Sequence, residues 1–226
     1  MNQYVDLSQA YHNEMLLHPT LPKFSCCPVL THEEHGASMQ QLSLVTHCGT
    51  HIDAPAHFFS NGMTVDSIPL SKLHGKAMVL DVTKKGPRER IYWSDISTHE
   101  DELRYAASSG GIVLFRTDWS KYWGNEKYFD HPFLDGDTAR KLVELGVQTI
   151  GIDAMGPDET KVGVSDVMAE SDFTVHRVAL GAGMVIAENL TNLDKIQSGS
   201  WVVSVMPLKI SGGDGSPVRA YAVRIE

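Results

Sequence analysis

The 226 residues, 42% of them hydrophobic and 21% charged, suffice for one full core, and 28 acidic against 19 basic residues leave a net charge of −9. That balance offers no basic patch for phosphates and excludes a nucleic-acid partner. No apolar run nears the ~20 residues that span a bilayer, Met1–Asp6 does not read as a signal peptide, and three cysteines make no disulfide framework, so a cytoplasmic protein is expected.

In chain order, short β-branched runs between turn residues predict strands over 4–8, 40–46, 77–82, 112–116, 148–152, 184–188, 201–206 and 218–225. Helices are predicted over 98–108, over 137–145 closed by Gly146, and over 171–180 between Ser171 and Gly181. Strands outnumber helices and do not alternate with them, which argues against a regular doubly wound sheet. The expectation is one mixed α/β domain over residues 1–226, a largely antiparallel sheet with flanking helices. Residues 211–217, rich in glycine and serine, read as a surface turn between the last two strands.

Eleven histidines are the oddity of the composition, and three fall within eleven residues. His47, His51, Asp53 and His57 share one parity, so an extended chain would aim them at one face. A straight strand would hold His47 and His51 about 13 Å apart at ~3.3 Å per residue, too far to share an ion. The chain must bend, and Gly49 permits it; Gly49 and Pro55 also disfavour a helix. The expected picture is a strand ending at His47, a tight turn, and a loop returning His51, Asp53 and His57 over one point. Imidazole and carboxylate donors suit zinc, manganese or a similar divalent ion. Cys48, on the opposite parity, reads as packing.

Later in the chain, Phe173, His176 and Leu180 share one helical face, which aims His176 inward. Glu188 ends an otherwise apolar run, where a carboxylate requires a partner or a cation. On spacing alone, a core histidine and a helix-capping or salt-bridged glutamate are the plainer readings. Trp119, Tyr122, Trp123 and Phe59 stand equally as pocket lining or as core.

The run from His47 to Phe58 resembles the His-x-Gly-Thr-His-x-Asp-x-Pro-x-His-Phe signature of the cyclase family of metal-dependent hydrolases, the kynurenine formamidase and isatin hydrolase-like group. The resemblance extends to Val5–Gln9, to 116–119 and 128–132, to Gly151-Ile152-Asp153, and to Pro207-Leu208 with 215–220. It implies a swivelling β/β/α fold, usually in homo-oligomers (dimer or tetramer), acting on a small-molecule substrate. It further implies that His47, His51 and Asp53 bind metal, that His57 is the catalytic histidine, and that His176 and Glu188, twelve residues apart, complete a second site. One or two ions per chain fit the family. Where its formamidases are similar in a Trp-Pro-Gly-Asp stretch, this chain has His18-Pro19-Thr20-Leu21. With His18, Phe59 and Trp119 as substrate-binding candidates, the departure implies poor turnover of N-formylkynurenine and a smaller or more polar substrate.

The expected chemistry is hydrolysis of an amide, lactam or lactone carbonyl by metal-activated water, with His57 moving the proton. No Gly-x-Ser-x-Gly elbow supports a serine nucleophile. The rivals are a metal-dependent cyclase or dehydratase that stabilises an enolate, and a non-catalytic metal-binding module.

Overall fold

Alternation of side chains along the strands divides the interior into two apolar layers, one on each face of a single large sheet. The computed structural model describes residues 3–18, 21–161 and 173–225. In chain order the strands are β1 (Tyr4–Asp6), β2 (Ser25–Leu30), β3 (Met39–Ser43), β4 (His51–Asp53), β5 (His74–Asp81), β6 (Arg90–Ile91), β7 (Ile112–Arg116), β8 (Phe133–Leu134), β9 (Thr149–Ile152), β10 (Val185–Glu188), β11 (Trp201–Ser204), β12 (Gly215–Pro217) and β13 (Tyr221–Arg224). The helices are α1 (His32–His35), α2 (Trp93–Ile96), α3 (Glu100–Ser108), α4 (Gly136–Glu144) and α5 (Thr174–Gly181). The start expected at Ser171 lies outside the described residues.

Nine strands form one sheet in the order β1-β13-β11-β5-β7-β9-β10-β4-β12. The central β5, β7, β9 and β10 run parallel, and every other pairing within this sheet is antiparallel. The mixed, mainly antiparallel sheet expected from the sequence is therefore present. Its parallel centre is buried on both faces and so reads as continuous apolar runs such as Ile112-Val113-Leu114-Phe115. Val113, Phe115, Ile150, Ile152 and Ile186 face one layer, covered by Leu103 of α3, Leu142 of α4 and Val175, Ala179 and Leu180 of α5. Ile112, Leu114, Val185 and Ala187 face the other, where they meet Val5 and Ala222 from one end of the sheet and Ile52 from the other. Strands near both ends can share one cluster only if the sheet curls. Two links show the curl: Ser8 bridges Leu190, and Thr191 N–H donates to Leu7 O (3.0 Å).

Sequence and structure part company at 25–53. The run ending at His47 stops at Ser43, because β3 pairs with the unexpected strand β2 and, among the described residues, with no other strand. Pro28, which cannot donate to a ladder, sits beside a register shift between Pro28 and Leu30. That hairpin exposes Val29, Met39 and Leu42 by half or more. His51–Asp53, expected in a loop, is instead a fully buried inner strand. No described helix is long and apolar enough to cross a membrane.

Candidate metal centre

Strand β4 lies between β10 and β12, with His51 opposite Glu188 and Pro217, and Asp53 opposite Gly215. Directly opposed residues of an antiparallel pair point to the same face. Ile52 therefore enters one apolar layer, while His51, Asp53 and Glu188 emerge together on the face that carries α5. Shared parity is thus expressed through a ladder.

Gly49 supplies the bend, at φ +59. A Cβ there would lie 2.5 Å from the ring of Tyr11, whose hydroxyl donates to Cys48 O (2.5 Å). Gly49→Ala should therefore destabilise the fold by about 1–3 kcal/mol through strain and clash, read as a lower urea midpoint at unchanged slope. An unaltered midpoint would count against this account. Cys48 is buried and unpaired, a packing residue. No helix pairs His47 with His51, as expected; Pro55 opens only a single 3₁₀ turn, Pro55–His57, that swings His57 back.

His51 Nδ1 donates to Gly49 O (2.9 Å), which turns its Nε2 toward Asp53 Oδ1 (3.3 Å) and Glu188 Oε2 (3.4 Å). His176, buried on the first turn of α5, places Nδ1 2.6 Å from Asp158 Oδ2 and Nε2 near Asp53 Oδ2 (3.2 Å) and Glu188 Oε1 (3.1 Å). His47 sets Nδ1 2.6 Å from Asp53 Oδ1 and Nε2 3.0 Å from Asp214 Oδ2. His57 stacks on His47 with centroids 3.8 Å apart. All four histidines, Asp53 and Glu188 are thus brought together.

Three supporting residues escaped the sequence reading. Asp158 accepts from the N–H groups of Val175 and His176 as well as facing the His176 ring, so one carboxylate caps α5 and orients its histidine. Asn189, held at φ +56, accepts from Tyr128 Oη (3.0 Å) and donates to Gly49 O (2.9 Å), bracing the carbonyl that aims His51. Asp214 lies in the stretch expected to be a surface turn; that turn is instead tied down, with β12 paired to β4. Asp158 beside its Gly156-Pro157 turn, and Asp214 in a glycine-rich turn, carried no signal beyond ordinary turn chemistry.

Burial works to raise the Asp53 carboxyl, but the His47 charge and hydrogen bonds from His176, His47 and His51 hold it well below the carboxylate range. Burial works to lower His47, and Asp53 and then Asp214 outweigh it, pushing it up to about 9. His176 is likewise raised despite burial, by Asp158, Asp53 and Glu188. Burial takes His57 the other way, to about 4. The acidic floor is balanced by protons on His47 and His176, a positive load where a cation would stand.

These residues fit a divalent ion. Glu188 Oε1 is buried with no hydrogen bond satisfying it among the described residues, and only the His176 ring, at 3.1 Å, lies in ion-pair reach of it. His51 Nε2 converges with the two buried carboxylates of Asp53 and Glu188 on one point, a donor set suited to a cation. Among the described residues, two groups have ligand atoms within 4.8 Å of one another: His47, Asp53 and His57, and His51, Asp53 and Glu188. Asp53 belongs to both.

Above them opens a cavity of about 280 Å³ with Leu16, Leu17, Leu21, Trp123, Met155 and Phe173 in its wall. His18 lines it and approaches Lys161 O at 3.4 Å; Pro19 and Thr20 lie outside the described residues. Trp119 and Phe59, the other substrate-binding candidates, are placed elsewhere. Trp119 is buried in the core with Nε1 donating to Lys127 O (3.2 Å), and Phe59 packs against Gly181. Trp123 takes the wall position instead. Three leucines make that wall more apolar than His18 suggested.

Residues 5–159 match the model of the Cyclase family, described as "Putative cyclase". The kynurenine formamidase of Salinibacter ruber is 32% identical over 189 residues, 83% of this chain and 81% of that protein. That of Bacillus cytotoxicus is 30% identical over 222 residues, 97% of this chain and 96% of that protein. Isatin hydrolase A from Labrenzia aggregata superposes with a TM-score of 0.83 at 27% identity, covering 100% of this chain and 94% of that one. Fold, site and relatives define an enzyme, a metal-dependent hydrolase of amide C–N bonds. The chain belongs to the cyclase family.

Proposed function

We propose that the protein hydrolyses an amide or lactam carbonyl attached to an apolar or aromatic group, with lactones as the neighbouring class, using one or two zinc or manganese ions. The observation that carries this reading is the convergence of His47, His51, His57 and His176 on Asp53 and Glu188 at the floor of an apolar cavity. His47, His51, Asp53, His176 and Glu188 would hold the metal, with Asp53 shared between the two ligand groups. When bound, a divalent ion supplies a Lewis acid for a carbonyl oxygen and brings the pKa of its water to about 7. His57, held neutral by burial, is suited to take a proton at a ring nitrogen and return it to the leaving nitrogen or oxygen. The leucine wall excludes water and seats the apolar part of the substrate. His18 at that wall replaces a flat stacking surface with a smaller polar ring, which supports poor turnover of N-formylkynurenine.

The same proposal covers a single domain over 1–226, a cytoplasmic setting and a homo-oligomer; the pairing of β1 with β13, at opposite ends of the chain, supports the first.

Protein stripped by a chelator should lose activity and regain it with zinc or manganese. The reloaded enzyme, given isatin, N-formylkynurenine and small amides and lactones in oxygen-labelled water, should place one labelled oxygen in the new carboxylate. A product free of label would point instead to cyclase or dehydratase chemistry. A kcat/KM for N-formylkynurenine of about 10⁴ M⁻¹s⁻¹ or more would show that His18 does not exclude it.

A further inference from the structure

His51 and His176 each have an outer ring nitrogen anchored away from the floor, by Gly49 O and by Asp158. At the remaining pair, His47 and His57, the corresponding anchor is one carboxylate. Asp214 Oδ2 is 3.0 Å from His47 Nε2 and 3.6 Å from His57 Nδ1, and those two rings are stacked. No other carboxylate lies within ion-pair reach of His57 among the described residues.

Asp214 is not a loosely held surface acid. Its own carbonyl accepts from Ala54 N–H (2.9 Å), Gly213 O from Val65 N–H (2.8 Å), and Asp66 Oδ1 from Gly212 N–H (3.1 Å). Its other carboxylate oxygen accepts from Thr46 Oγ1 (3.0 Å), which fixes the rotation of the group. Gly215 completes the fit, because a Cβ there would come within 2.5 Å of His47 Cε1. The turn is thus secured at three backbone points and shaped around the imidazole.

We propose that Asp214 is a positioning residue: by taking the Nδ1–H of His57, it fixes the tautomer in which Nε2 is the basic nitrogen available to the reaction. The role rests on the hydrolase reading above, in which His57 moves the proton. An imidazole has one proton when neutral, so a carboxylate at one nitrogen decides which nitrogen is the base. Asp214 does not touch substrate; it acts through the two stacked rings. The approach of 3.6 Å in the free enzyme would shorten when substrate engages the ring, since catalytic hydrogen bonds are often long beforehand.

The test uses zinc-loaded protein with ¹⁵N-labelled histidine at about pH 8, above the ordinary imidazole pKa of about 6.5. His57 in the wild type is expected as the Nδ1–H tautomer by long-range ¹⁵N–¹H correlation, and Asp214→Ala and Asp214→Asn should shift it toward Nε2–H. In both variants kcat should fall about 10–100-fold, with KM within about threefold and zinc content within about twofold of wild type. A wild-type proton on Nε2, or kcat unchanged in both variants, would overturn the role. Loss of zinc from both would overturn it too, making Asp214 a support of the metal rather than of the base. Should wild-type protein turn over no amide or lactam, the hydrolase reading fails, while the tautomer measurement still decides what Asp214 does to His57.

Discussion

His57→Ala is expected to lower kcat by about 10²–10⁴-fold while bound metal stays close to the wild-type amount. The ring lies at the edge of the ligand cluster, stacked on His47 and partly exposed to the cavity, where a proton can be exchanged with substrate. Yet His57 also falls within ligand reach of His47 and Asp53. Metal analysis of the purified variant separates these roles. A deficit in proportion to the lost activity would make His57 a ligand; retained metal with a low kcat keeps it as the base.

Asp53→Ala is expected to act on the metal instead, weakening its binding by at least about 100-fold, more than the 10–100-fold typical of supporting residues. Asp53 is the residue both ligand groups share, and His47, His51 and His176 all lie within 3.3 Å of its oxygens. Chelated protein offers a second readout. Removing a buried, paired carboxylate costs about 3–5 kcal/mol, because the histidine charges it balanced lose their partner. The sign with pH follows from the depressed carboxyl of Asp53. Its stabilisation is fully present above the unfolded value of about 3.9 and is lost as pH falls toward the lower folded value. The gap in urea midpoint between chelated wild type and Asp53→Asn should therefore be widest between about pH 4 and 6.5, shrinking below about pH 4 as Asp53 protonates and again as pH rises toward the raised His47 value of about 9. Metal affinity within a few-fold of wild type would remove Asp53 from the centre of the site.

The first half of the cluster was legible in spacing, while His176 and Glu188 joined it only through the family resemblance. His51 and Asp53 face one side through the twofold alternation of a strand, and Glu188 announces itself as a charge ending an apolar run. The apolar runs of β7, β9 and β10 likewise mark the centre of the sheet. What escaped depends on contacts between distant segments. Asp158 and Asp214 stand in Gly-Pro-Asp and Gly-Gly-Asp-Gly, which locally look like any polar turn; only the pairing of β12 with β4 and the docking of α5 bring them to histidines. Trp119 and Trp123 are four residues apart in one short turn, and composition cannot say which meets the cavity and which the core. The hairpin of β2 and β3 was half seen because Pro28 and the adjacent cysteines mask its first strand.

The ladder that joins β10, β4 and β12 sets the distances between Glu188, His51 and Asp53 through backbone hydrogen bonds, independently of what surrounds them. The cavity wall has a different origin, in Leu16, Leu17, His18 and Leu21 before the hairpin and Met155 to Lys161 after β9, segments that enter none of those pairings. Reactivity and selectivity are thus inherited from separate stretches of chain. Exchanges confined to 16–21 and 155–161, sparing Asp158, should change which carbonyl compounds are admitted while leaving the reaction itself intact, so that one chemical engine can be refitted to new substrates by altering its doorway.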